Sequence, residues 1–237
     1  MLAVPSALYY RHKIAGEALW GEHELYLLDE LIQHGGTAID VGANKGFFAF
    51  AFSRIVDRVE AFEPNPDYAR FARRMLGGRA QVHEIALSNE VGKAEFVVPL
   101  AENGAALHLG GKLSSVDTHQ SHSMSFQVQV RTLDSYAFEN VRAIKVDVEG
   151  SEMEVLEGAR QTIAKWRPPL IVELLTGTYS DPIATAEKVC DMFAYTPWLV
   201  TKDHEVVEAL PVMRGLDSNT TWGSLIRNRN VLFLPRD

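Results

Sequence analysis

Three short stretches of this 237-residue chain set carboxylates at the ends of apolar runs. In AIDVGANKG (38–46) Asp40 precedes a turn marked by Gly42 and Gly46. In RVEAFEP (58–64) Glu63 stands directly before Pro64. In AIKVDVEG (143–150) Lys145, Asp147 and Glu149 alternate with Ile144, Val146 and Val148. A carboxylate at a strand end can accept a hydroxyl's hydrogen bond, take up a proton or hold a cation. Asp147 and Glu149, about 6.6 Å apart on an extended strand, are close enough for coupled titration in a partly dry site. They suit the removal of a proton from a hydroxyl acceptor. A divalent cation between them is another route to the same end, and the metal question stays open. Lys145 lies farther back along the strand and reads as the ion-pair partner of a carboxylate.

The first stretch is a Gly-rich turn between a strand and a helix, the place where an open α/β sheet binds its ligand. Gly42 permits the sharp turn, and Gly46 removes a Cβ where a ligand would press on the first helical turn. Asp40 can accept hydrogen bonds from that loop or from an ammonium group. Glu63, 21 residues after Gly42, ends the second strand, where an acid holds both hydroxyls of a ribose. Dinucleotide binding asks for G-x-G-x-x-G, and the middle glycine that admits a pyrophosphate is missing here. S-adenosylmethionine, a nucleoside without phosphate, therefore fits better than NAD.

Other candidates are less sharply marked. Ser151, with Glu154 three residues on, is expected to cap the helix after EGSE. That accounts for Ser151 and leaves Asp147 unexplained. Glu173 ends PPLIVEL (168–174) and reads either as substrate rim or as a structural pair. His108, His119 and His122 share the Gly- and Ser-rich stretch 101–125 with Asp117. Their spacing and the lack of cysteine ligands speak against zinc. The stretch is a candidate lid, with His119 or His122 as a candidate base. Trp222, in the polar stretch 213–230, is a candidate wall for a sugar or lipid-linked acceptor.

The elements that must position these residues follow from periodicity. Residues 22–33 have helical spacing and end at Gly35-Gly36. A strand then stops at Gly42, and an apolar helix runs from about 45 to 55. RVEAFEP is the second strand, DYARFARRML a helix and VHEIAL (82–87) the third strand. GKAEFVVPL and SFQVQVRTL add extra strands before AIKVDVEG, and SEMEVLEGARQTIAKW follows as one helix. PPLIVELL, the helix ATAEKVCDMFAY, and strands in WLVTKDHEVVEA and NVLFLP close the chain, the last pair antiparallel. Strand–helix alternation means right-handed crossovers and a mainly parallel sheet with helices on both faces.

Bulk properties set the frame. The chain is 46% hydrophobic and 23% charged, with a net charge of −8. That argues against non-specific binding to nucleic acid or an anionic membrane. The lone Cys190 reads as a small buried hydrophobe, which fits a reducing compartment. The start lacks a basic region before its short apolar run and does not look like a signal peptide. No apolar stretch has the length of a bilayer span. The expectation is a cytoplasmic single domain over 1–237, with self-association left open. Within it, 1–35 is a helical segment, 36–175 the cofactor-binding core, 101–125 the candidate lid and 176–237 the acceptor side.

DVGANKGFFA, VEAFEPNP, EIALSN, VRTLDSY, IKVDVEGSEMEVLEGA and PPLIVEL, in that order, resemble the FkbM-type family of class I S-adenosylmethionine-dependent methyltransferases. The likeness implies a Rossmann-like α/β fold with a mostly parallel seven-stranded sheet in the order 3-2-1-4-5-7-6. It implies that Asp40, Gly42, Ala43, Asn44 and Gly46 line the methionine side of the cofactor. Glu63 would hold the ribose, with Pro64 and Asn65 at the adenosine edge, Ala86 and Leu87 beside the adenine and Ser88 in contact with it. Asp147 and Glu149 then reach the same cleft, between cofactor and acceptor. The family points to O-methylation of a sugar hydroxyl in a polysaccharide or glycolipid, or of a secondary metabolite. Nitrogen or protein acceptors remain alternatives. Rivals from other classes are a nicotinamide-dependent oxidoreductase and a non-catalytic nucleotide-binding scaffold.

Overall fold

TAIDV is buried at all five positions, as a strand covered on both faces must be, and the rest of the fold is arranged around it. The computed structural model describes residues 6–20, 22–100, 112–114, 123–174, 179–201, 203–215 and 230–236. The chain opens with α1 (Ser6–Trp20), a 3-10 turn (His23–Tyr26) and α2 (Leu28–Leu31). Next come β1 (Thr37–Val41), α3 (Phe47–Phe52), β2 (Arg58–Phe62) and α4 (Pro66–Leu76). Short strands β3 (Gln81–His83) and β4 (Ala86–Leu87) precede β5 (Gly92–Pro99), β6 (Lys112–Ser114) and β7 (Ser123–Arg131). Then follow β8 (Val141–Val146), α5 (Glu152–Glu157), α6 (Arg160–Trp166) and β9 (Leu170–Glu173). The last elements are α7 (Pro182–Phe193), β10 (Tyr195–Val200), β11 (Val206–Glu208), α8 (Ala209–Gly215) and β12 (Asn230–Pro235).

The main sheet has the order β11-β10-β12-β9-β8-β1-β2-β3. From β3 to β10 this is the expected 3-2-1-4-5-7-6 arrangement. Strands β3, β2, β1, β8 and β9 run parallel, and β12 runs antiparallel to both β9 and β10. Two features go beyond the expectation. β11 adds an eighth strand at the edge, and β4-β7-β5-β6 form a separate four-stranded sheet.

Alternation along β1 and β8 divides the core. Ile39, Val41, Ile144 and Val146 belong to one apolar layer, closed by α5, α6 and α7. Ala38 and Ala143 belong to the other, closed by α1, α3 and α4. Asp40 and Lys145 lie in register on these strands, so two charges sit inside the second layer, 2% and 1% exposed. Helix α4 shows how local chemistry sets an entry angle. The Asn65 side chain accepts from the backbone N–H of Asp67 at 3.0 Å, Pro66 occupies the first turn, and Gly77 closes the helix with φ +58°.

Several expected elements are corrected. VHEIAL divides between the two sheets, with β3 paired to β2 and β4 paired to β7. The single helix expected over 151–166 breaks at Gly158, where a Cβ would lie 2.1 Å from the carbonyl oxygen of Ser88. The helix expected over 22–33 shortens to a 3-10 turn and one helical turn, and Glu24 in the 3-10 turn accepts a buried hydrogen bond from Asn230. None of the described helices is long and apolar enough to cross a membrane.

Candidate active site

The loop after β1 is stitched to its neighbours by the backbone. The N–H groups of Gly42 and Ala43 both donate to the carbonyl of Phe62, at 2.9 and 3.0 Å, and that of Asp147 donates to Val41 at 3.0 Å. Gly42 has φ +78°. Gly46, also left-handed, serves packing: a Cβ there would meet Leu76 at 3.1 Å and the Tyr10 hydroxyl at 3.2 Å. It therefore backs the loop against α4 and α1 and lies off the cavity wall, where the family likeness had implied a methionine-side lining. Gly46 offers α3 no side-chain cap. The Oδ2 of Asp40 takes that part from inside the sheet, accepting from the N–H of Ala49 at 2.8 Å. Burial pushes the Asp40 carboxyl up to about 7, against the pull of Lys145 and of the Ala49 N–H.

Glu63 is 5% exposed and held at both oxygens. One accepts from the N–H of Asn44 at 2.7 Å, the other from the N–H of Asn65 at 2.8 Å. Burial outweighs these bonds and raises its carboxyl to about 7. Each carboxylate oxygen has two acceptor sites, so one on each is left to meet a pair of vicinal hydroxyls. Glu63 thus presents open acceptor sites to the cavity. Asp40, Gly42, Ala43, Asn44, Pro64, Asn65, Ala86 and Leu87 line the same cavity of about 450 Å³, which is within the range for small-molecule ligands. Phe96 and Val98 of β5 close one wall, so the second sheet contributes to the cavity. Their i, i+2 spacing sets them on one face of the strand. Ser88 lies off the wall. Its N–H donates to Arg131 at 2.9 Å, and its carbonyl abuts Gly158.

The charges of AIKVDVEG gather at the same cavity. The strand stops at Val146, so Asp147 and Glu149 leave it, and Glu149 takes φ +57°. Their turn is held by a residue the sequence reading passed over. The Glu152 carboxylate, 1% exposed, accepts from the N–H groups of Val148 at 2.9 Å and Gly150 at 3.1 Å, and from the Tyr179 hydroxyl. Ser151 makes no side-chain cap. This corrects the expected capping box: the acid one residue later satisfies the turn.

Asp147, Glu149 and Glu173 bring carboxylate oxygens within 4.8 Å of one another. This spacing suits a cation, and Lys145 sits beside it, its Nζ donating to Asp147 Oδ2 at 3.2 Å. Burial depresses the Lys145 pKa, but Asp147 first, then Glu173, Glu22 and Asp40, more than reverse it, and it lies above the usual lysine range. Burial raises Glu173 well above the carboxylate range, and the charge of Asp147 and a hydrogen bond with it add to the rise. Asp147, Glu149, Glu173 and Glu22 all line the cavity. His119, His122 and Trp222 lie outside the described residues.

A family profile described as "Methyltransferase FkbM domain" matches residues 40–211. Among curated proteins, 2-O-methyltransferase NoeI of Sinorhizobium fredii (strain NBRC 101917 / NGR234) is 28% identical over 145 residues, covering 54% of this chain and 59% of the relative. Among solved structures, methyltransferase FkbM from Methylobacillus flagellatus KT superimposes with a TM-score of 0.56 at 16% identity. That match covers 89% of this chain and 47% of the other. The chain thus spans about half to three-fifths of the length of these two proteins.

Proposed function

The chain belongs to the FkbM methyltransferase family, and from that premise we propose that it transfers the methyl group of S-adenosylmethionine to a hydroxyl of a sugar or a small hydroxylated metabolite. The observation that carries the reading is the shared cavity, whose wall brings Glu63, Asp40, Asp147, Glu149 and Glu173 together. When bound, S-adenosylmethionine supplies an electrophilic methyl group on a sulfonium.

The chain's own residues have three tasks. Glu63 holds the ribose by the acceptor sites its backbone donors leave open, with Pro64 and Asn65 beside it. Ala86 and Leu87 give the adenine an apolar wall that excludes water. Asp40, with the loop Gly42-Ala43-Asn44, frames the amino-acid end. At the acceptor end, Asp147 accepts the hydrogen bond of the reacting hydroxyl and takes its proton as the oxygen gains a methyl group. Glu149 and Glu173 orient the acceptor's other hydroxyls. The choice of oxygen is supported by the curated relative, a 2-O-methyltransferase.

Calorimetry with S-adenosylmethionine, S-adenosylhomocysteine and NAD tests the cofactor, and binding of NAD alone overturns the proposal. Labelled methyl transfer into fractionated glycan, lipid and protein identifies the acceptor. With that acceptor, Asp147→Asn is expected to keep cofactor affinity while transfer falls by about 10²–10⁴-fold. Full activity in that variant removes Asp147 from the chemistry.

A further inference from the structure

Lys145 is 1% exposed, and carboxylates from several elements surround its ammonium. Asp147 lies 3.2 Å away at the end of its own strand. Glu173 on β9, Asp40 on β1 and Glu22 ahead of the first turn also act on it. The ring of Phe48 from α3 covers it, with the centroid 5.1 Å from Nζ. Glu63 and Glu149 complete the acidic surroundings, Glu63 feeling Asp147 and Glu173 feeling Glu149. The other lysine on the cavity wall, Lys45, is turned toward the ring of Tyr68, 5.9 Å from its centroid.

The two members of the ion pair differ in access. The side chain of Lys145 is sealed, while that of Asp147 is 29% exposed. Strand pairing with β1 and β9 fixes the lysine backbone on both sides. A sealed ammonium with its stem fixed between two strands acts as a stationary charge, and it meets Asp147 by a charge-assisted bond.

We infer that Lys145 is a positioning residue, which keeps the Asp147 carboxylate ionised and aimed into the cavity. The inference rests on the reading of Asp147 as the acceptor-side base. In methyl transfer the acceptor oxygen forms a bond to carbon, the carbon–sulfur bond breaks and its electron pair returns to sulfur. The hydroxyl proton passes to Asp147. A fixed ammonium keeps that carboxylate free of its proton until the acceptor arrives. It also restrains the carboxylate's rotation, so the site is ordered by the sheet itself.

The test reads Asp147 directly, by carbon-13 NMR of carboxyl-labelled aspartate, with its resonance assigned by its loss in Asp147→Asn. In Lys145→Met the Asp147 titration midpoint is expected to rise by about one to two pH units, and Lys145→Arg to restore most of the difference. A lysine that served packing alone would leave the midpoint in place, and an unmoved midpoint in folded Lys145→Met overturns the inference. If that variant does not fold, the pair is read from the other side. The Lys145 Nζ resonance in Asp147→Asn is expected to titrate about one unit or more lower than in the parent protein, and no change there is equally decisive. Calorimetry separates the two readings. A parent protein that fails to bind S-adenosylmethionine removes the methyltransferase proposal. Binding with an unmoved Asp147 midpoint removes only the role of Lys145.

Discussion

The backbone carbonyl oxygen of Asp147 lies 1.7 Å from the point a Cβ on Gly42 would occupy. The loop after β1 and the turn after β8 therefore share one space, and residue 42 has no room for a methyl group. Gly42→Ala adds left-handed strain to that collision and is expected to cost about 2–4 kcal/mol, with S-adenosylhomocysteine affinity lost in parallel. Gly78→Ala is the control. It shares the positive φ, but its Cβ would meet nothing within 4 Å, and about 1 kcal/mol is expected. Thermal melts and calorimetry on both variants check the pair.

A pH effect of definite sign follows from Asp40 and Glu63. Burial lifts both to about 7 from ordinary values of 3.8 and 4.5. Between about pH 4 and 7 the folded protein therefore binds more protons than the unfolded chain, and the stability of the ligand-free protein falls as pH rises through that window. S-adenosylhomocysteine affinity runs the other way, because an ionised Glu63 is the better ribose acceptor. It should rise by up to about tenfold per unit below pH 7 and flatten in Glu63→Gln. Affinity independent of pH across this range would take Glu63 away from the ribose.

Glu152 secures the turn that carries Glu149. Glu152→Ala leaves the N–H groups of Val148 and Gly150 without that acceptor, an expected loss of about 2–4 kcal/mol. Tyr179→Phe removes one donor at the same carboxylate and should cost about 1 kcal/mol. In the second variant cofactor affinity is expected to persist while transfer slows, as measured by calorimetry beside a methyl-transfer assay.

With Lys145 compensating the carboxylates, chelation is expected to change little. Dialysis against EDTA should leave the melting temperature and S-adenosylhomocysteine affinity unaltered, and added magnesium should not raise transfer. Activity lost on chelation and restored by one divalent cation would contradict this.

The parts legible in the sequence were those fixed by local pattern. Apolar runs ending in Asp40, Glu63 and Asp147 became β1, β2 and β8, and the Gly42 turn followed from a backbone need only glycine meets easily. What stayed hidden depends on distant neighbours. Gly158 lies against the carbonyl of Ser88, and nothing in LEGARQ announces that contact. Ala86 and Leu87 fit either sheet by composition, and pairing with Val130 and Arg131 decides which. Glu152 was hardest to see, because an acid in a first helical turn is ordinary. Its role appears only when the turn folds back over it.

Glu149 adopts a left-handed conformation that neither helix ending nor residue type explains. Ala137, Arg167 and Ala194 share the conformation as helix C-caps, and Asn44 and Asn140 are of a type that tolerates it. Glycine would be the easier residue at 149, so the chain trades local stability for a side chain there. Glu149→Gly should then melt higher than the parent protein while its turnover falls, two changes of opposite sign from one truncation.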